Sequence, residues 1–333
     1  MPTDQSKMFD FIILIFKIFA ISPGRSPSKY YKYYSFLYLI VTFVFYNVLL
    51  TLNLIYTPRT IDLLIPEVIF YFTEISMGSK LLTVLLMHDK LIDLFNLIDS
   101  DEFEGDYKNK NGILYKTNNR YRLGCKLYVF FTNLVFSSQV FVPIFVNLIR
   151  GTSSQLPICK YYFLTDEMRE SHFLFWFVYQ SFGMYGHMTY NVNFDSLTAG
   201  LLVLAIVQLQ LLNNNLSNLK LSEEECKLPM DIQDRIQMDR LNHNLRHYEV
   251  ILNFCNGIQD FLSVTIFVQF MAATLIICVV MCGLLLVSIT YSILLLLFFC
   301  LLWVLFNGSY DMKSCPAVYT TIIIIIFIHK LFT

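Results

Sequence analysis

Long apolar runs separated by charged connections dominate the chain, and their lengths predict helices that cross a membrane. A bilayer core about 30 Å thick needs about 20 mostly apolar residues in a helix. Five segments reach that length and a sixth comes close. The first runs from Tyr34 to Tyr56 and closes at Thr57-Pro58. The second, Leu63 to Met87, carries Glu67, Glu74 and Lys80, and the third, Cys125 to Ile149, is rich in phenylalanine and contains Pro143. The fourth, Phe173 to Leu212, is 40 residues long and polar in its middle. The fifth and sixth, Phe261 to Leu286 and Ile289 to Phe306, nearly abut, so a tight turn near Ser288 must separate them. Ahead of all of them, Phe9, Ile12, Ile13, Phe16 and Phe19 recur at helical spacing while Lys7 and Lys17 can reach water. That pattern, without a small-residue cleavage site, predicts an uncleaved amphipathic helix lying in the membrane interface.

The fourth segment fits either two short spans or one helix projecting from the membrane, and charge separates the two readings. Taken as one helix, it leaves 16 Lys and Arg on one side, in the amino-terminal segment and the loops 88–123 and 213–260, against four on the other, Arg59, Arg150, Lys160 and Arg169. Two spans would erode that asymmetry. The single helix is preferred, and the positive-inside rule then places the amino terminus in the cytoplasm. Helical patterning continues through the second loop at Leu241, Leu245, Tyr248, Leu252, Cys255 and Phe261, so the fifth helix is expected to begin outside the bilayer and pack on an extension of the fourth. The expected architecture is an all-α polytopic membrane bundle. It comprises a cytoplasmic amino terminus with its interfacial helix (1–33), helices one to four (34–212), a cytoplasmic helical anchor region (213–260), helices five and six (261–306) and a short tail (307–333).

Composition agrees and narrows the function. Hydrophobic residues make up 56% and charged residues 15%, against about 25% charged in soluble domains, which argues against a soluble enzyme. A net charge of −1 gives no electrostatic footprint for nucleic acid. The eight cysteines lie mostly in or beside apolar runs and include no CxxC pair of zinc spacing, so they read as buried thiols. No GxSxG, HExxH or phosphate-cradling glycine loop occurs, and no catalytic residue, cofactor or metal is expected. His243 and His247 stand at i, i+4 but lack a third ligand. Ser222-Glu223-Glu224-Glu225 reads as a solvated loop. The sequons at Asn215 and Asn307 fall on cytoplasmic connections and should stay unmodified.

Polar groups at membrane depth each cost a few kcal/mol unless they face protein or water, so their alignment carries more information. On helix two, Glu67, Tyr71 and Glu74 share a face near the outer end. On helix three, Asn133, Ser137 and Phe141 align. On helix four, Trp176, Gln180, Gly183, His187 and Asn191 form one stripe, with Tyr179, Met184, Tyr185 and Met188 beside it. Tyr291 stands near the outer start of helix six. Two readings stay open: interhelical hydrogen bonding with aromatic anchoring, or a shared outward-opening pocket for a small organic ligand. The candidate ligand-binding residues under the second reading are Tyr71, Glu74, Ser137, Phe141, Trp176, Tyr179, Met184, His187 and Tyr291.

The stretch His247 to Met281 resembles the recurrent signature of insect odorant receptors, through His247, Ile251, Leu252, Phe254, Asp260, Phe261, Ser263, Phe267, Gln269, Phe270 and Cys278. Upstream, the run from Asp195 to Leu219 is similar to the family's fourth helix entering the cytoplasm. The resemblance implies a subunit of a ligand-gated, non-selective cation channel in the plasma membrane of olfactory sensory neurons. It would assemble as a heterotetramer with the odorant receptor coreceptor, surrounded by membrane lipid, and bind a volatile odorant between helices two, three, four and six. Its inverted topology is the one that the charge count predicts. The chain departs from the family after Phe306, where 27 residues follow. Ala317 to Ile328 is too short to span and matches nothing in the family's pore-lining seventh helix, so the chain is expected to be truncated. A gustatory receptor of the same superfamily is the nearest alternative, and a G-protein-coupled receptor a more distant one.

Overall fold

The computed structural model describes residues 4–21, 28–100, 103, 112–150 and 156–287. Every regular element among them is helical. A 3-10 turn, Asp4–Phe9, leads into α1 (Asp10–Ile18). The first span is α2 (Lys29–Leu39), a π-helical segment Ile40–Val44, and α3 (Phe45–Tyr56), continuous with one another. Ser28 caps it by accepting from the Tyr31 N–H at 3.3 Å. Thr57, extended at ψ 130°, ends it because a residue preceding proline avoids helical geometry. α4 (Ile61–Leu86) is the second span and α5 (His88–Ile98) a separate amphipathic helix beyond it. α6 (Ile113–Arg150) holds the third span, and α7 (Asp166–Ser171) caps the connection to α8 (Phe173–Ser217). After the 3-10 turn Glu225–Lys227, α9 (Met230–Val287) runs for 58 residues.

Five of these helical stretches are long and apolar enough to cross a membrane: Lys29–Tyr56, Leu63–Leu86, Ile113–Val142, Phe173–Ser217 and Met230–Gly283. They coincide with the first five expected spans. The expected sixth span, the turn at Ser288, the tail after Phe306 and Tyr291 lie outside the described residues. The 40-residue fourth segment is one uninterrupted helix of 45 residues. At 1.5 Å per residue that is roughly 68 Å, twice the bilayer core, so a large part of α8 projects beyond it. α9 likewise starts far outside its apolar stretch, and its amino-terminal half packs on the projecting end of α8.

α8 is the hub, packing against α1, α4, α6, α7 and α9. Toward its carboxyl end, which we call proximal, Leu197, Leu201 and Leu204 share a buried core with Leu81 and Val84 of α4, Leu91, Leu94 and Ile98 of α5, and Phe254, Ile258 and Phe261 of α9. α1 contributes Ile12 and Phe16 to the same core. The amino-terminal helix therefore docks one face on the bundle, while Phe11, Leu14 and Ile18 remain about half exposed on the other. A second, smaller core at the distal end joins Tyr46, Leu49 and Leu50 to Leu156, Cys159 and Tyr161 of the α6–α8 connection.

Polar joints pin these contacts. Lys80 of α4, 7% exposed, donates to Asn191 and Asp195 of α8, both at 2.5 Å. Thr83 bonds Thr265 of α9, and His247 of α9 bonds Gln208 of α8 at 2.8 Å. Asn193 donates to the Ile12 carbonyl at 2.8 Å, fastening α1.

Candidate functional site

The distal site begins with a backbone irregularity. In a π turn the N–H bonds five residues back, as Phe45 does to the Ile40 carbonyl, so the regular i−4 ladder is interrupted. Two carbonyls of this widened segment take side chains from α8. The Tyr179 hydroxyl donates to the Val41 carbonyl at 2.8 Å, and Nε2 of His187 lies 2.7 Å from the Thr42 carbonyl. A carbonyl only accepts, so Nε2 carries a proton. The other ring nitrogen, Nδ1, meets Oε2 of Glu74 at 2.5 Å. One proton is shared between Nδ1 and Oε2, and the pair is neutral overall wherever that proton resides. His187 and Glu74 are 4% and 6% exposed, and such burial is tolerable because the pair is neutral and hydrogen-bonded.

Aromatic rings enclose this pair. Tyr46 stands edge-on to the His187 ring at 4.6 Å, and Phe43 lies at 5.6 Å. Gly183 makes that approach possible: a Cβ there would fall 2.4 Å from the Tyr46 ring. The Tyr46 hydroxyl is fully buried among Glu74, Cys159, Tyr161 and Tyr179 and has no hydrogen-bond partner among the described residues. A buried hydroxyl left in that state costs about 1–3 kcal/mol, so it is a donor ready for an incoming acceptor. Tyr179 packs at 5.8 Å from Phe45 and 6.3 Å from Tyr46. Trp176 lies edge-on to Tyr161 at 5.4 Å.

Of the sequence-predicted site residues, Glu74, Trp176, Tyr179 and His187 come together here. His187 spends both ring nitrogens, one on Glu74 Oε2 and one on the Thr42 carbonyl, so the pair shapes the site more than it offers bonds to a ligand. Tyr71 and Met184 are half-buried on α4 and α8 beside the cluster's helices. Ser137 is half-buried on α6 and Phe141 is 52% exposed, and neither forms a hydrogen bond or ring contact with the cluster. One helical position away, Phe136 does reach α8, with its ring 5.1 Å from Tyr185. Sequence reasoning missed Tyr46, Asn53 and Tyr161. Tyr46 has the same local signature as the interfacial tyrosines around it, and only the neighbouring Gly183 hints at a close approach. In the connection, burial and then the Glu67 carboxylate push the Cys159 thiol well above the usual thiol range, so it stays protonated. Among the described residues, no group of three His, Cys, Asp or Glu side chains is placed to hold a metal.

The described bundle thus combines a long projecting fourth helix, a fifth helix packed along it and a polar-aromatic cluster in the opposite half. The chain matches the 7tm odorant receptor family over residues 60–308. This chain belongs to that family. Its members are ligand-binding receptors and channels, not enzymes. The fold is also similar to a solved insect olfactory receptor, OR5 from Machilis hrabei, at 16% identity and a TM-score of 0.66, covering 90% of this chain and 77% of that one. The same receptor in complex with eugenol gives 16% identity and a TM-score of 0.63, with the same coverage. At that identity the likeness speaks for the fold alone. No curated protein matches in sequence. As an odorant receptor family member the chain is a multi-pass membrane protein, and the distal cluster lies within its spans.

Proposed function

We propose that this chain is an odorant-tuning subunit that binds a small volatile organic molecule in the distal half of its bundle. With the odorant receptor coreceptor, it gates a non-selective cation channel in the plasma membrane of olfactory sensory neurons. The carrying observation is the cluster itself: within an odorant receptor fold, Tyr179 packs on Tyr46, Trp176 closes on the adjacent Tyr161, and the buried Tyr46 phenol has no hydrogen-bond partner among the described residues. A mostly apolar enclosure with one or two placed polar groups suits a volatile with a single oxygen function. Eugenol, with which the Machilis hrabei receptor of similar fold forms a complex, is likewise a small, mostly apolar molecule with few polar groups.

The site residues proposed are Tyr71, Glu74, Trp176, Tyr179, Met184 and His187, together with Ser137 and Phe141 of α6 and, from its place in the sequence alone, Tyr291. Glu74 and His187 act through position, and Tyr46 supplies the donor. The positive charge excess supports a cytoplasmic amino terminus, which puts the distal end outside, where odorants arrive. The test is ligand ranking. Co-expressed with the coreceptor, the chain should give odorant-evoked cation currents whose order of potency across a panel of phenols, esters and hydrocarbons changes on Tyr46→Phe, Trp176→Ala and Tyr179→Ala. Potency for hydrocarbons should change least on Tyr46→Phe. An unchanged ranking after all three substitutions overturns the site.

A further inference from the structure

The connection between α6 and α8 is not built as a surface loop. Residues 156–164 bury Leu156, Cys159 and Tyr161 against Tyr46, Leu49 and Leu50 of the first span, whereas connections ordinarily run over the surface. Backbone without regular structure needs partners when it enters a core. Two side-chain amides supply them. Gln180 of α8, fully buried, accepts from the Ile158 N–H at 3.2 Å and the Cys159 N–H at 3.4 Å, and donates to the Cys159 carbonyl at 2.9 Å. Asn53 of α3, also fully buried, accepts from the Tyr162 N–H at 3.1 Å and is held in turn by Glu67 at 2.7 Å. Between these two anchors Tyr161 turns through φ 50° with none of its surface exposed. That left-handed backbone is uncommon for a tyrosine and persists only where the surroundings impose it.

We propose that residues 156–164 are a strained plug seated in the distal mouth of the ligand site, latched by Gln180 and Asn53 as positioning residues, and that ligand reaches the site when the plug lifts. This rests on the site proposed above. The plug is tied to the spans by a few amide-to-backbone bonds and not by a continuous ladder, so those bonds can exchange for water together. Release lets Tyr161 return to an ordinary backbone conformation, which offsets part of the cost of exposing its ring. Its direct neighbour Trp176 then loses the edge contact that closes the aromatic enclosure.

Cys159 reports the plug's position, because it is 3% exposed in the closed arrangement while Cys226 is exposed at the other end of the molecule. With the full chain in lipid nanodiscs, maleimide labelling followed by peptide mass mapping should find Cys159 reacting about tenfold or more slowly than Cys226. Gln180→Ala and, separately, Asn53→Ala should each raise the Cys159 rate about tenfold, leaving Cys226 unchanged. With eugenol as probe and Trp176 emission as readout, the same variants should speed association and dissociation together while Kd moves less than about threefold. Unchanged Cys159 labelling in both variants overturns the latch. Faster labelling with unchanged eugenol rates overturns the plug as the access route. Absence of any eugenol signal in the unsubstituted chain counts against the site, and the labelling comparison still decides the latch.

Discussion

At Gly183 a single missing carbon decides whether the fourth span can meet the first. A Cβ there would stand 2.4–2.5 Å from two atoms of the Tyr46 ring, which is fully buried and cannot swing away. Gly183→Ala should therefore destabilise the distal half by about 1–3 kcal/mol, as overpacking generally does. In detergent this would appear as a lowered unfolding temperature that Gly183→Ala combined with Tyr46→Leu largely restores. An unshifted single variant would show that the two helices are further apart than described. The stripes on helices two and four correctly singled out Glu74 and His187 as groups needing partners, because charge and imidazole at membrane depth are costly. That they satisfy one another, at 2.5 Å, and that His187 also reaches the Thr42 carbonyl, could not be read. Their spacing in the chain is 113 residues, and no local periodicity records a contact that long-ranged.

Among the elements, α4 and α8 are joined by an ion pair with one buried partner and one partly exposed. Lys80 and Asp195 lie 2.5 Å apart with side-chain exposures of 8% and 36%. Lys80 is the buried partner, so replacing Asp195 strands a buried ammonium at a cost of about 3–5 kcal/mol, whereas replacing Lys80 leaves a carboxylate that water reaches, and replacing both by apolar residues removes the desolvation penalty. Asp195→Leu alone should sharply reduce folded protein in size-exclusion profiles, Lys80→Met alone should reduce it less, and the two together should recover most of it. A different linkage governs the α8–α9 connection. Ser222-Glu223-Glu224-Glu225 was expected to be solvated, and Glu223 and Glu224 are exposed. Glu225 instead accepts from the Ser222 N–H at 2.8 Å and pairs with Arg240 of α9 at 2.6 Å. The Ser222 N–H is the main cause holding its carboxyl below the usual carboxylate range, with Arg240 adding to it. A depressed folded-state value means that this anchoring is present above the usual range and is lost as pH falls through the folded value. Hydrogen exchange at the Ser222 amide should accelerate beyond its intrinsic trend in acid, and Glu225→Gln should flatten that extra dependence. The π turn at Ile40–Val44 belongs to this scale too. It alters the ladder by one residue and leaves no compositional mark, so the first span read as an ordinary helix.

For the whole molecule, the proposed orientation is tested by an epitope tag at the amino terminus. It should be silent on intact cells and detected after permeabilisation, and surface detection would reverse the bundle and place the distal site inside. Number, length and order of the described spans were legible, as was the single long fourth helix with a fifth packed along it. These follow from local constraints: bilayer thickness and helical rise set the run lengths, and charge placement discriminates between one span and two. The family signature between His247 and Met281 was legible because it is contiguous. Only the tertiary structure decided which polar groups pair, which face of α6 turns toward α8, and that the α6–α8 connection enters the core. The physical reason is the same in each case. The chain determines locally what must be buried, but partners such as Tyr162 and Asn53, 109 residues apart, are chosen by how finished helices pack.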